Sequence, residues 1–84
     1  PIGAGLAGLA RGQSLVAVGR GDEGIAVLRQ ARVTAVSIRE RVLESDLAFA
    51  EGYALVSLGR HREALAPLAE ALAIGEELGL DRLL

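Results

Sequence analysis

Three glycines near the start of the chain have a spacing that could bind phosphate. Gly3, Gly5 and Gly8 follow the pattern G-x-G-x-x-G, in which backbone N–H groups at a strand-to-helix turn hold the pyrophosphate of a flavin or nicotinamide nucleotide. The pattern needs a strand before it, and only two residues precede Gly3. We therefore expect no cofactor, and a fragment of a flavin- or nicotinamide-dependent oxidoreductase is the alternative function. The glycines themselves predict weakly helical first turns, because each costs about 1 kcal/mol relative to Ala inside a helix.

Other residues that could do chemistry are few. His61 is the single histidine and falls in a turn, and the chain has no cysteine, so no metal site can be assembled around it. Arg20–Asp22 reads Arg-Gly-Asp, an integrin-binding tripeptide, but the same turn further along the chain reads Arg60-His61-Arg62, which favours a structural interpretation. The eleven acidic residues form no paired constellation, and Glu76-Glu77 is interpreted as a solvated face. We expect no catalytic residue and no enzyme.

Composition limits the chain to one small domain without a nucleic-acid partner. It has 84 residues, 51% of them hydrophobic, and a net charge of -2, so it offers no basic surface to neutralise a phosphate backbone. No apolar run approaches the roughly 20 residues that span a bilayer, and no basic segment precedes an apolar one as in a signal peptide. We expect a cytoplasmic protein with no membrane contact. All nine basic residues are arginine, a bias typical of a GC-rich bacterial genome.

The chain repeats itself at an offset of 40 residues. Residues 12–31 align with residues 52–71, and small residues and leucines match at helical intervals around one shared turn. The matching pairs are Gly12/Gly52, Leu15/Leu55, Val16/Val56, Gly19/Gly59, Arg20/Arg60, Glu23/Glu63, Ala26/Ala66, Leu28/Leu68 and Ala31/Ala71. We interpret residues 1–40 and 41–80 as two copies of one unit, with residues 81–84 beginning a third.

Each copy predicts an all-α hairpin of two antiparallel amphipathic helices. In the first copy, the apolar spacing predicts helices over about 6–18 and 23–38 around the turn at residues 19–22. In the second copy, apolar residues recur at spacings of three and four over 47–58 and 64–72. The boundary between the copies, near residues 38–44, depends on the repeat offset and on a helix start further on.

Start and stop signals place the remaining boundaries. Ser45 and Asp46 are candidate N-caps for the first helix of the second copy. Gly59 is placed to adopt the left-handed conformation that ends that helix, and Gly79 is placed to end the next, with Asp81 as a new start. Pro67 predicts a bend or local opening inside the last helix, because proline removes one backbone hydrogen bond.

The second copy resembles a tetratricopeptide (TPR) repeat. Gly52 matches the small residue in the middle of the family's first helix, residues 58–65 are similar to its turn, and Ala64, Leu68 and Ala71 match the small, large, small series of its second helix. Two features depart from the family: the period is 40 rather than about 34, and Ala48 occupies the usual tryptophan position. Longer units of this kind resemble the sensor regions of bacterial transcriptional regulators.

The resemblance implies a right-handed solenoid that acts as a scaffold and binds a peptide or protein on its concave face. Phe49 and Tyr53, the only aromatic residues, lie four apart on one helix face and could either anchor a ligand or pack against a neighbouring hairpin. Chain-terminus clamps of the family use Lys and Asn, and neither residue is present. The implied concave positions are Asp46, Phe49, Tyr53, Val56 and Ser57 in the second copy and Leu6, Leu9, Gln13, Val16 and Ala17 in the first.

A solenoid unit cannot bury its apolar face alone, and about three repeats are usually needed for stability. We therefore expect the segment to be a homo-oligomer through exposed repeat ends, or marginally stable. A monodisperse monomer with a cooperative, high melting transition would contradict this expectation.

Overall fold

The computed structural model describes residues 2–79, which form four α-helices and three short turns. The helices are α1 (Ile2–Ala17), α2 (Gly21–Ser37), α3 (Arg41–Ser57) and α4 (His61–Leu78). Consecutive helices pack antiparallel, and α1 also contacts α3. The prediction of an all-α chain of packed helices is therefore confirmed. The proposed start of a third repeat, residues 81–84 with Asp81, lies outside the described residues.

The three turns have the same geometry and recur every 20 residues. The central residue of each lies in the left-handed region, with φ of 86° at Gly19, 59° at Arg39 and 77° at Gly59. After it, a backbone N–H reaches back five residues to a carbonyl: Arg20 N–H donates to the Leu15 carbonyl at 2.8 Å, and the two later turns repeat this bond. This is the Schellman arrangement, which satisfies carbonyls at the end of a helix. The left-handed conformation predicted for Gly59 is confirmed.

The predicted N-cap at Ser45 and Asp46 is wrong. Helix α3 begins at Arg41, and its N-cap, Glu40, makes no side-chain capping hydrogen bond. The break before it is made by Arg39, a residue without the sequence signal of a turn, in the position that glycine takes in the other two turns. Ser45 lies inside α3, where its hydroxyl donates to the Ala71 carbonyl of α4 at 3.3 Å.

The weakly helical start predicted for the chain is also wrong. Helix α1 includes Gly3, Gly5 and Gly8, because two of these glycines allow neighbouring helices to approach closely. A Cβ at Gly8 would lie 2.7 Å from the Ala31 Cβ, and one at Gly5 would overlap the Leu43 side chain. The cost of glycine to helix propensity is therefore offset by packing against α2 and α3.

Helix α4 runs without interruption through Pro67, which is buried. It ends at Gly79, whose φ of 72° is left-handed and whose N–H donates to the Glu76 carbonyl at 3.1 Å. The predicted stop at Gly79 is thus confirmed, and the predicted opening of the helix at Pro67 is not observed.

The core lies between α2 and α3 and is flanked by α1 and α4. Its largest fully buried side chains are Ile25 and Leu28 from α2 and Leu47 and Leu55 from α3, each worth about 1.5–3 kcal/mol when removed from water. Alanines fill the remaining space, so the helices approach closely. Within residues 2–79, no helix combines the length and the apolar character that crossing a membrane requires.

Candidate binding groove

A groove of about 520 Å³ lies between α1 and α3. We call it the α1/α3 groove. Buried or core-facing side chains form its floor, and the more exposed residues of α1 and α3 form its two walls. Its lining consists of Gln13, Val16 and Ala17 from α1, Leu28 from α2, and Phe49, Ala50, Tyr53, Ala54 and Ser57 from α3.

The wall on α3 carries both aromatic side chains of the chain. Phe49 and Tyr53 are one helical turn apart, and 57% and 67% of their surfaces are exposed. Neither ring is therefore buried in the core. The structure places two large rings side by side at the mouth of an apolar groove.

The polar groups of the groove are uncharged. Gln13 offers an amide, Tyr53 a hydroxyl, and Ser57 a hydroxyl that already donates to the Ala54 carbonyl at 2.8 Å. Among residues 2–79, no charged side chain lines the groove. Its chemistry therefore suits an apolar or aromatic side chain with one or two hydrogen bonds at the rim, rather than a phosphate or a metal ion.

Six of the ten concave positions implied by the resemblance line this groove. They are Gln13, Val16, Ala17, Phe49, Tyr53 and Ser57. Leu9 packs instead against the core, Leu6 and Val56 are exposed outside the groove lining, and Asp46 lines a separate depression between α3 and α4.

A buried carboxylate was missed by the sequence analysis. Glu51 of α3 is buried beneath two arginines of α2, with Arg29 Nε donating to its Oε2 at 3.0 Å and Arg32 Nη1 lying 3.1 Å from its Oε1. The Arg32 guanidinium also lies 3.5 Å from Glu70 of α4. Glu51 lies on the same helix face as the buried Leu47 and Ala54. Its position on that apolar face was the feature of the sequence that could have predicted its burial. This cluster joins three helices and lies outside the groove.

A second ion-pair cluster joins α3 to α4 through Glu77. Arg41 donates hydrogen bonds to the buried Glu44 and to Glu77, and so joins the start of α3 to the end of α4. Glu76 and Glu77 are nevertheless both exposed, as the interpretation of this pair as a solvated face predicts. The contact with Glu77 raises the pKa of Arg41 above its ordinary value.

Exposed ion pairs connect residues of the charged turns. Arg60 donates to Asp22 at 2.7 Å and so joins α2 to the turn before α4, and it also binds Glu63. The guanidinium of Arg60 lowers the pKa of Glu63, and Arg20 lowers the pKa of Glu23 in the same way. The charged groups of the Arg-Gly-Asp tripeptide are thus occupied by partners within the chain.

Within residues 2–79, the remaining residues that could do chemistry do not form a metal site or a dinucleotide-binding turn. His61 is exposed at the first turn of α4, and no three His, Asp or Glu side chains of this segment are placed to hold a metal ion. Gly3, Gly5 and Gly8 lie within a continuous helix, whereas the dinucleotide pattern requires a turn between a strand and a helix.

Comparison with known proteins adds no family to this description. No protein-family model, no curated protein and no solved structure matches the chain.

Proposed function

We propose that this chain is a non-catalytic protein-interaction module of the TPR-like class, which binds an apolar segment of a partner protein in the α1/α3 groove. The observation that carries the proposal is the exposed pair Phe49 and Tyr53 beside an uncharged groove. Aromatic residues beside a desolvated pocket are typical of the positions that dominate binding energy at protein interfaces.

The size of the groove supports a side-chain ligand. A volume of about 520 Å³ falls within the range of roughly 300–1,000 Å³ found for ligand pockets. One or two large apolar side chains would fill it. The amide of Gln13 and the hydroxyl of Tyr53 would then bond to the backbone of the bound segment.

The repeat supports the TPR-like assignment. Two hairpins related by 40 residues stack so that α1, the first helix of one hairpin, contacts α3, the first helix of the next. In the TPR family the ligand lies on the surface that these first helices form, and the α1/α3 groove lies between the corresponding helices here.

The test is selection of displayed random peptides on the purified 84-residue chain, followed by affinity measurement by isothermal titration calorimetry. We expect the selected peptides to carry aromatic or large aliphatic residues and Tyr53→Ala to weaken their binding by tenfold or more, since a hot-spot truncation costs at least about 1–2 kcal/mol. Val33→Ala is the matched control, because Val33 is an exposed residue of α2 outside the groove.

Amide chemical shifts locate the bound peptide independently of affinity. Binding in the groove would shift the backbone resonances of Gln13, Ala17 and Tyr53 and leave those of Val33 unchanged. Selected peptides that bind Tyr53→Ala as tightly as the native chain, with shifts elsewhere, would overturn the proposal.

A further inference from the structure

A second apolar surface lies on α4, away from the α1/α3 groove. Leu65 and Leu72 are 68% and 63% exposed, and with Leu68 and Ala69 between them they follow the three- and four-residue spacing of one helix face. We call these four residues the α4 face. It borders a depression that Ser45, Asp46 and Phe49 line from the α3 side.

The equivalent positions of the first hairpin show which kind of structural element this face can pack against. At the equivalent positions of α2, 40 residues earlier, Ile25 and Leu28 are 2% and 1% exposed, because α3 packs over them. Leu65 stands in the place of Ile25 on the second hairpin but has no helix over it within residues 2–79, whereas Leu68 lies partly buried against Gly52 of α3. The α4 face is therefore a surface that accepts a helix.

The polar contacts that hold α3 onto α2 are not repeated on the α4 face. Arg29 and Arg32 bind the buried Glu51, whereas the residues 40 positions later are Ala69 and Leu72. A helix of the α3 type would bury its acidic residue here without a partner, and an unpaired buried charge strongly opposes packing. The occupant must be apolar at this position.

Charge also opposes the stacking of copies head to tail. Asp22 binds Arg60 between the two hairpins, but its equivalent on the second hairpin is Arg62. A second copy stacked in the same register would bring its own Arg20, the equivalent of Arg60, against Arg62, and like charges repel.

The outer face of α1 is moreover a poor substitute for α3. Gly3 and Ala7 stand where α3 has the buried Leu43 and Leu47. A copy stacked head to tail would therefore leave the α4 face largely unfilled.

We propose that the occupant of the α4 face is α4 of a second copy of this chain, packed antiparallel about a twofold axis near Ala69. Leu65 of each copy then meets Leu72 of the other in an apolar seam, and the small Ala69 allows close approach. Arg62 and Glu76 lie seven residues to either side of Ala69. The twofold axis therefore brings Arg62 of each copy to Glu76 of the other, and the face is complementary to itself in charge as well as in shape.

The first test is sedimentation equilibrium of the 84-residue chain up to millimolar concentration. We expect a monomer–dimer equilibrium that Leu72→Glu weakens by at least about a hundredfold, because two carboxylates would be buried in the seam. Val33→Glu, an equally drastic change at an exposed site on α2, should leave the dimer intact. Circular dichroism checks that both variants remain helical.

The second test exchanges the charges. Arg62→Glu and Glu76→Arg should each weaken the dimer about tenfold, since the twofold axis creates two repulsive pairs, and the double variant should restore it. A chain that stays monomeric overturns the proposal, as does a dimer unaffected by Leu72→Glu. Assemblies that grow beyond the dimer with concentration would indicate head-to-tail stacking and also overturn it.

Failure of the proposed dimer can be distinguished from failure of the proposed peptide binding. Leu72→Glu should leave peptide binding in the α1/α3 groove unchanged, because Leu72 does not line that groove. Tyr53→Ala should in turn leave the dimer intact, because Tyr53 lies outside the α4 face and its adjoining depression.

Discussion

Substituting Gly24 tests whether close helix contact, rather than helix propensity, determines the stability of this fold. Gly24 is buried in α2 where it crosses α1. A Cβ at this position would lie 2.6 Å from the carbonyl oxygen of Gly12 and 2.7 Å from Cγ2 of Val16. The carbonyl belongs to the backbone, so it cannot rotate away as a side chain could.

The size of the expected change in unfolding free energy follows from the overlap between the added Cβ and α1. Ordinary contact of a Cβ begins at 3.4 Å, so Gly24→Ala requires α1 and α2 to separate locally by roughly 0.8 Å or to strain, and such overpacking typically costs about 1–3 kcal/mol. The gain in helix propensity offsets about 1 kcal/mol. We expect a net loss of up to about 2 kcal/mol, and each kcal/mol lost lowers the Tm by about 4–8 °C in a domain of this size.

Urea unfolding followed by circular dichroism, at low protein concentration, measures the effect. The matched control is Gly75→Ala in α4, where a Cβ meets nothing within 4 Å, so the same propensity gain should stabilise the chain by about 1 kcal/mol. The two alanine variants should thus differ in sign. Equal stabilisation by both would refute the argument that Gly24 is required by contact with α1.

Three further predictions concern charge and the turns. Arg32→Met should lower the free energy of unfolding by about 1–3 kcal/mol, because the buried Glu51 keeps only one arginine, whereas Arg20→Met at an exposed pair should have a much smaller effect in the same urea assay. Arg39→Gly should raise the free energy of unfolding by about 0.5–1 kcal/mol in thermal melts, since glycine adopts the observed φ without strain. The pKa of Glu63 is lowered on folding. Its contribution to the free energy of unfolding is therefore present above the unfolded pKa and disappears as the pH falls through the folded pKa. Glu63→Gln should destabilise the chain at neutral pH and have no effect at strongly acidic pH.

Apolar spacing and glycine signals were enough to predict the helices but not all their ends. The turns at Gly19 and Gly59 were predicted because glycine favours positive φ. The turn between them was predicted only within residues 38–44, from the repeat offset, because Arg39 adopts the same conformation without any local preference for it. Tertiary packing on both sides holds that turn in register, and a single sequence does not display that constraint.

The candidate site was predictable where helix geometry alone decides the outcome. The four-residue spacing of Phe49 and Tyr53 was sufficient to place both rings on one face, and the structure places both in the α1/α3 groove. The burial of Glu51 was not predictable in this way, because hydrophobic periodicity describes apolar residues, and a buried carboxylate depends on arginines from another helix.

The two surfaces meet at Phe49, which lines both the α1/α3 groove and the depression beside the α4 face. Truncating Phe49 would therefore remove contacts from either occupant and could not separate peptide binding from dimerisation. Tyr53 contributes to the groove alone and Leu72 to the α4 face alone, so these two positions are the ones whose substitution distinguishes the functions. If dimerisation moves the Phe49 ring, dimerisation changes the affinity for the peptide. The bound peptide then changes the affinity of the dimer by the same factor, because coupling between two binding equilibria is reciprocal. Peptide affinity of the native dimer divided by that of monomeric Leu72→Glu measures that factor, and a value of one means that the two surfaces act independently.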